Sequence, residues 1–288
     1  VMDDDSLTYG DDAYSVSNYD RNSLYDTLPM YQAIAESKNT SAVWLLDKLG
    51  IQRGISKLED FGISIGEADE NLGAIALGGM SKGVTPVQLA SAYTTFVNEG
   101  VRTQARFITK IVDATGAVIV DNTKPKTNRV TTAAVAEEMT SMLMGVYADG
   151  GTGASAQPSN GMVIAGKTGT TELDRETGYI KSQWMVGYTP DLVVATWLGY
   201  DKTNEIYNLN NAGKTMANLY SAEMGALLSI SPQTEFAVAA AEETYDSGII
   251  NGLKNGLDEF MNDMGSFGQS LGEGSKKLFD WANEAFGQ

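Results

Sequence analysis

The order of patterned segments predicts an α+β fold, an antiparallel sheet flanked by helices. Helix-patterned stretches occupy the first half of the chain, strand-patterned stretches follow, and one more helix comes after them. The segment 192–199 is apolar on both faces (Leu192, Val193, Val194, Ala195, Trp197, Leu198), which is the pattern of a central strand. At 288 residues and 42% hydrophobic content, the chain is long enough for one large domain or two small ones with a buried core.

The elements follow in order. Residues 1–27 are polar and turn-rich, and Asp3, Asp4, Asp5, Asp11, Asp12, Asn18 and Asp20 read as a solvated acidic surface, since their spacing does not fit a calcium loop. From Leu28 to Gly50 the residues favour helix, but Ser37, Lys38, Asn39 and Thr40 interrupt the apolar positions with cap-type residues. That predicts two helices meeting at a polar turn. Thr85-Pro86 opens a further helix, with Thr as N-cap and Pro in the first turn, running through Val87, Leu89, Tyr93 and Phe96 to a stop at Gly100. Phe107 to Val112 and Val118 to Val120 flank Asp113-Ala114-Thr115-Gly116 as a β-hairpin. Thr131 or Thr132 caps a helix through Tyr147, which ends at Gly150-Gly151. Strands are expected at 162–170, 183–189 and 192–199, and a helix from about Lys214 to Leu228.

Pro232 marks a change of character, so residues 1–230 are taken as one domain and 231–288 as a glycine-rich, partly helical or disordered tail. In that tail Ile250, Leu253, Leu257, Phe260, Met264, Phe267 and Leu271 form a helical stripe weakened by Gly252, Gly256, Gly265 and Gly268.

Composition excludes several classes of function. Lys and Arg number 20 against 37 Asp and Glu, a net charge of −17 that repels a phosphate backbone and argues against nucleic acid as a partner. With no His and no Cys, Ser-His-Asp and Cys-His nucleophiles, thiol redox chemistry and the usual zinc sites are all ruled out. Any general base must be Lys, a carboxylate or Tyr. No apolar run approaches the ~20 residues that span a bilayer. The acidic start at Val1-Met2-Asp3 has no signal-peptide character and reads as a cut end.

Gly161 to Thr168 fits the Walker A expression letter for letter, ending Gly166-Lys167-Thr168. Its four intervening residues are strand formers, however, and Gly169-Thr170-Thr171 follows where a phosphate loop needs a helix. A nucleotide site is therefore the third of three readings. The same residues suit a strand on the rim of a cleft. There the Lys167 ammonium and the hydroxyls of Thr168 and Thr170 can hold a carboxylate, and Gly169 lets a substrate backbone approach.

Ser37-Lys38-Asn39 and Lys167-Thr168-Gly169-Thr170 together resemble the second and third motifs of the penicillin-binding transpeptidases. The flanks resemble the same family: Tyr14 to Asp20, Ala76 to Pro86, Phe96 to Gly100, and Gly187 to Leu192 with Gly199-Tyr200-Asp201. The match runs in order from about Tyr14 to Leu228. Lys167 to Thr171 and Gly187-Tyr188-Thr189-Pro190-Asp191 look most like the class A, bifunctional members. The resemblance implies part of that fold and peptidoglycan D,D-transpeptidation by serine acyl transfer. A D,D-carboxypeptidase or β-lactamase-like hydrolase is the alternative within the family, and a non-catalytic peptidoglycan-binding module the alternative outside it. By resemblance Ser37 belongs to the proton relay, Asn39 positions the substrate amide, and Lys167, Thr168, Gly169 and Thr170 bind substrate. The Thr170 N–H would supply half of the oxyanion hole. Lys38, at the variable middle position, receives no role.

The implied partners are peptidoglycan stem peptides, β-lactams and cell-wall assembly proteins, with no metal or other cofactor. The implied place is the extracellular face of a bacterial cytoplasmic membrane, with membrane contact only through a region outside this sequence. One departure stands out. The family's nucleophile is the Ser of Ser-x-x-Lys, and no Lys of this sequence has Ser three residues before it. The motif is expected upstream of Val1, so this chain by itself is expected to be inactive.

Overall fold

The computed structural model describes residues 1–10, 13–20, 24–172, 178–209 and 212–242. One compact unit runs from Val1 to Ala241. Asp11, Asp12 and the stripe from Ile250 to Leu271 lie outside the described residues.

The chain begins with short strands β1 (Met2–Asp3), β2 (Thr8–Tyr9), β3 (Tyr14–Ser15) and β4 (Asp26–Thr27), paired β1 with β4 and β2 with β3. Helices α1 (Met30–Ala35) and α2 (Asn39–Leu49) meet at the expected polar turn. Gly50, at φ +87°, swings the chain into α3 (Ile51–Asp60), and α4 (Leu72–Leu77) follows; the sequence pattern had indicated neither helix. Helix α5 (Pro86–Val97) starts at a complete capping box, in which Thr85 accepts from the Gln88 N–H and the Gln88 side chain accepts from the Thr85 N–H. Next come β5 (Val101–Thr103), the hairpin β6 (Lys110–Val112) and β7 (Val118–Asp121), and β8 (Thr127–Arg129), which pairs with β5. Thr132 caps α6 (Ala133–Met144).

The principal sheet is formed by β9 (Ala165–Glu172), β10 (Ile180–Thr189) and β11 (Leu192–Gly199), antiparallel in the order β11-β10-β9, and α7 (Ala212–Leu228) follows. The central strand is therefore β10, and β11 is an edge of the sheet among the described residues, contrary to the expectation for 192–199. Its two apolar faces have another cause: α5 and α7 both pack on it.

Successive residues of β10 show how the sheet is covered on both sides. Tyr188 meets Tyr93 and Phe96 of α5 and donates its hydroxyl to Thr140 of α6. Gly187 points the other way, towards α7, where a Cβ would lie 2.3 Å from the Tyr220 hydroxyl. Tyr147, Ile164, Met216, Tyr220, Met224 and Leu228 complete a core of close packing.

The Walker-like segment passes into β9 with no helix after Thr168, in line with the strand reading of these residues. Two further expectations change. Asp3 is not a solvated carboxylate. It is fully buried and accepts from Asn18 Nδ2 and Thr40 Oγ1, both at 2.5 Å, and from the Tyr25 N–H. Finally, the compact unit continues past residue 230: Thr234 donates to Asp191, and Phe236, Val238 and Ala240 pack against the core. The composition shift at Pro232 thus falls within this unit, which runs to Ala241.

Candidate active site

The turn between α1 and α2 is tightly specified. The Ser37 N–H donates to Ile34 O, the Lys38 N–H donates to Ala33 O, and Ser37 adopts φ +57°. A left-handed backbone is costly for a residue with a Cβ, and here the two flanking bonds hold it. The conformation aims the Ser37 hydroxyl at β9. Lys167 Nζ donates to Ser37 Oγ at 2.6 Å and to Thr168 O at 3.0 Å, joining residues 130 apart in sequence. Burial disfavours the charged ammonium and lowers the Lys167 pKa to about 8.

Asn39 opens α2, and its Nδ2 donates to Ser17 O at 3.2 Å, tying the segment after β3 to the turn. Along β9 the register with β10 sets Lys167 opposite Val186, Thr168 opposite Met185, Gly169 opposite Trp184 and Thr170 opposite Gln183. Trp184 approaches Gly169 closely: a Cβ there would meet the Trp184 Cβ at 3.3 Å. Strand β9 is an edge among the described residues, so alternate backbone N–H and C=O groups face away from the sheet and are open to an incoming chain. Of the six residues singled out from sequence, Ser37 and Lys167 touch. Asn39 lies beside Ser37, and Thr168, Gly169 and Thr170 continue β9 past Lys167.

Sequence reasoning missed three participants. The Thr152 hydroxyl bonds that of Thr168 at 2.7 Å, and the Thr152 N–H donates to Ala35 O, so this one residue links β9 to the end of α1. The available signal was its bracket of glycines: a Cβ on Gly151 would meet Gly145 O at 2.3 Å, and one on Gly153 would meet the Tyr147 ring at 2.9 Å. Lys38 is the second. Its side chain is buried, pairs with Glu36 at 3.1 Å and Asp3 at 3.8 Å, and lies over the Tyr25 ring. The third is Asp3, whose network with Asn18 and Thr40 underlies the start of α2.

The transpeptidase-domain model of the penicillin-binding proteins matches residues 1–222. This chain belongs to that family. The chain is 38% identical over 243 residues to penicillin-binding protein 2a of Streptococcus pneumoniae (strain D39), covering 83% of this chain and 32% of that protein. It is 38% identical over 221 residues to penicillin-binding protein 1F of Bacillus subtilis, covering 76% and 29%. These relatives agree with the class A resemblance, and the chain spans about a third of their length. The structure of PonA1 from Mycobacterium tuberculosis in complex with penicillin V is similar with a TM-score of 0.66 and 25% identity, over 81% of this chain and 64% of that one. Penicillin-binding protein 1A from Haemophilus influenzae, at 22% identity, shares the fold with a TM-score of 0.64 over 83% and 40%.

Proposed function

We propose that this penicillin-binding domain serves peptidoglycan cross-linking, as the carboxylate-binding and proton-relay part of a serine D,D-transpeptidase. In that reaction a serine oxygen bonds to the carbonyl carbon of a D-alanyl-D-alanine stem and the C–N bond breaks. The terminal D-alanine leaves as an amine with a proton delivered to it, and a neighbouring amine then resolves the acyl-enzyme. The observation that carries the reading is the 2.6 Å bond between Lys167 and Ser37. Because the ammonium donates to Ser37 Oγ, the serine keeps its own proton free to pass to the leaving amine. Lys167, Thr168 and Thr170 hold the stem carboxylate or that of a β-lactam, a charge-assisted contact in a partly desolvated place. Gly169 makes room for the substrate backbone. Asn39 positions the substrate amide, and the Thr170 N–H stabilises charge developing on the oxygen.

The nucleophile of this scheme is not among the 288 residues, which contain no Ser-x-x-Lys. The site would work at the extracellular face of a bacterial cytoplasmic membrane, beside cell-wall assembly proteins. Incubation of this chain with a fluorescent penicillin, followed by a denaturing gel, should give no covalent band. The same residues joined to a segment bearing Ser-x-x-Lys should give one. A band from the chain alone would sink the assignment and point to another nucleophile among its serines.

A further inference from the structure

Between Gln104 and Arg129 almost every residue is exposed; only Val120 is partly covered. The hairpin β6–β7 within this stretch makes no extensive contact with another helix or strand among the described residues. Yet it carries large apolar side chains at Phe107, Ile108, Ile111, Val112, Val118 and Ile119, with exposures from 38% at Ile111 to 88% at Phe107. Register pairs Lys110 with Asp121, Ile111 with Val120 and Val112 with Val118, with a slip at Ile119. Lys110 and Val112 therefore share one face and Ile111 takes the other, so each face carries exposed apolar side chains and neither covers a core among the described residues. A lone two-stranded hairpin is marginal in water, and an apolar one is an association site.

Charge says what kind of partner suits it. The stretch 104–129 carries Arg106, Lys110, Lys124, Lys126 and Arg129 against Asp113 and Asp121, a local positive balance in a chain of net charge −17. Both carboxylates are occupied within their own turns. Asp113 accepts from Thr115 and Ala117, Asp121 accepts from Thr123, and these bonds lower both pKa values. Lys110, Lys124 and Lys126 form no ion pair among the described residues.

We propose that this hairpin is a docking surface for an acidic, apolar segment of a partner protein, bound in extended form. Three observations favour that occupant. The outer edges of β6 and β7 are unpaired among the described residues, so backbone groups are available for strand addition. The tip, Asp113 to Ala117, is polar, with the apolar residues along the strands and at the root, so tip-first insertion into a bilayer would bury the wrong end. A short segment also feels chiefly the local cations, because the acidic remainder is screened beyond the ~8–10 Å Debye length. At the hairpin's root a groove of about 490 Å³ opens between Ser91 and Thr94 of α5, Arg106 and Thr109, and the turn at Pro190 and Leu192. It can receive an anchoring side chain.

The test titrates the 288-residue chain into a short fluorescein-labelled peptide of alternating Glu and Val, read by anisotropy. Saturable binding is expected, with amide shifts in NMR spectra confined to residues 104–129. Lys124→Glu with Lys126→Glu should weaken it by about tenfold or more while leaving the melting temperature unchanged. Ile111→Ser with Ile119→Ser should weaken it similarly. Absence of saturable binding, or binding indifferent to both double variants, overturns the proposal. Sedimentation with phosphatidylglycerol vesicles that the lysine variants abolish would overturn it in favour of a lipid surface. A concentration-dependent dimer that the isoleucine variants abolish would overturn it in favour of a second copy.

Discussion

Lys167 stands at the centre of the proposed chemistry, because its ammonium is partly withdrawn from water and bonded to Ser37. Losing a charge-assisted contact to a substrate carboxylate costs about 1.5–3 kcal/mol, so Lys167→Ala should slow acylation about ten- to hundredfold in a protein supplied with Ser-x-x-Lys. Thr168→Val should cost less, since a neutral hydroxyl bond is lost. Rates for Lys167→Ala equal to wild type would remove Lys167 from the carboxylate site. The pH dependence of folding is a separate check. With a folded pKa of about 8 against the ordinary 10.5, the unfolded chain holds a proton between those values that the folded chain has released. More protons on the unfolded state mean that stability rises with pH, so Lys167 contributes a gain from about pH 8 towards 10. Urea midpoints measured across that window should climb in wild type relative to Lys167→Met. Parallel curves would show that Lys167 is not desolvated.

At the scale of elements, the turn between α1 and α2 rests on buried polar bonds. Asp3 of β1 accepts from Asn18, Thr40 and Tyr25 and pairs with Lys38, so a two-residue strand anchors the residues on either side of Asn39. Removing one partner from a buried charged network costs about 3–5 kcal/mol, which is the loss expected for Asp3→Ala in urea unfolding. A loss below about 1 kcal/mol would return Asp3 to the role of an ordinary surface carboxylate. The helix starts were readable because a cap is a local event. Thr85 with Gln88 and Thr132 with the Val135 N–H both lie within one turn of chain. The burial of Asp3 was not readable, because its partners lie 15 to 37 residues away.

Across the whole molecule, the core extends into the segment after α7. Phe236 meets Tyr188 edge-on at 5.8 Å, on the face that Tyr93 and Phe96 also cover. Residues 234–240 therefore contribute to stability, although composition assigns them to the tail. Partial burial of an aromatic ring is worth about 2 kcal/mol, so Phe236→Ala should lower the melting temperature by about 4–8 °C. Truncation after Ser231 should lower it at least as far. Calorimetry with no change for either variant would mean that this contact contributes nothing.

Several features of this domain were legible in the sequence alone. Ser37-Lys38-Asn39 and Lys167 to Thr170 marked both sides of the proposed site, and the absence of His and Cys left lysine and hydroxyl groups as the candidates for its chemistry. Capping, turn chemistry and alternation located most helices and strands, because these depend on neighbours a few residues apart. Tertiary structure decided which of these pieces meet. Among the described residues it made β10 central and β11 an edge, since two helices can cover a strand that has one neighbour in the sheet. It made Thr152 the link between α1 and β9, and it buried Asp3 and Lys38 under the turn. It also brought Ser37 within 2.6 Å of Lys167. Contacts over such separations arise from the packing of whole elements, and no local pattern of residue types encodes their distances.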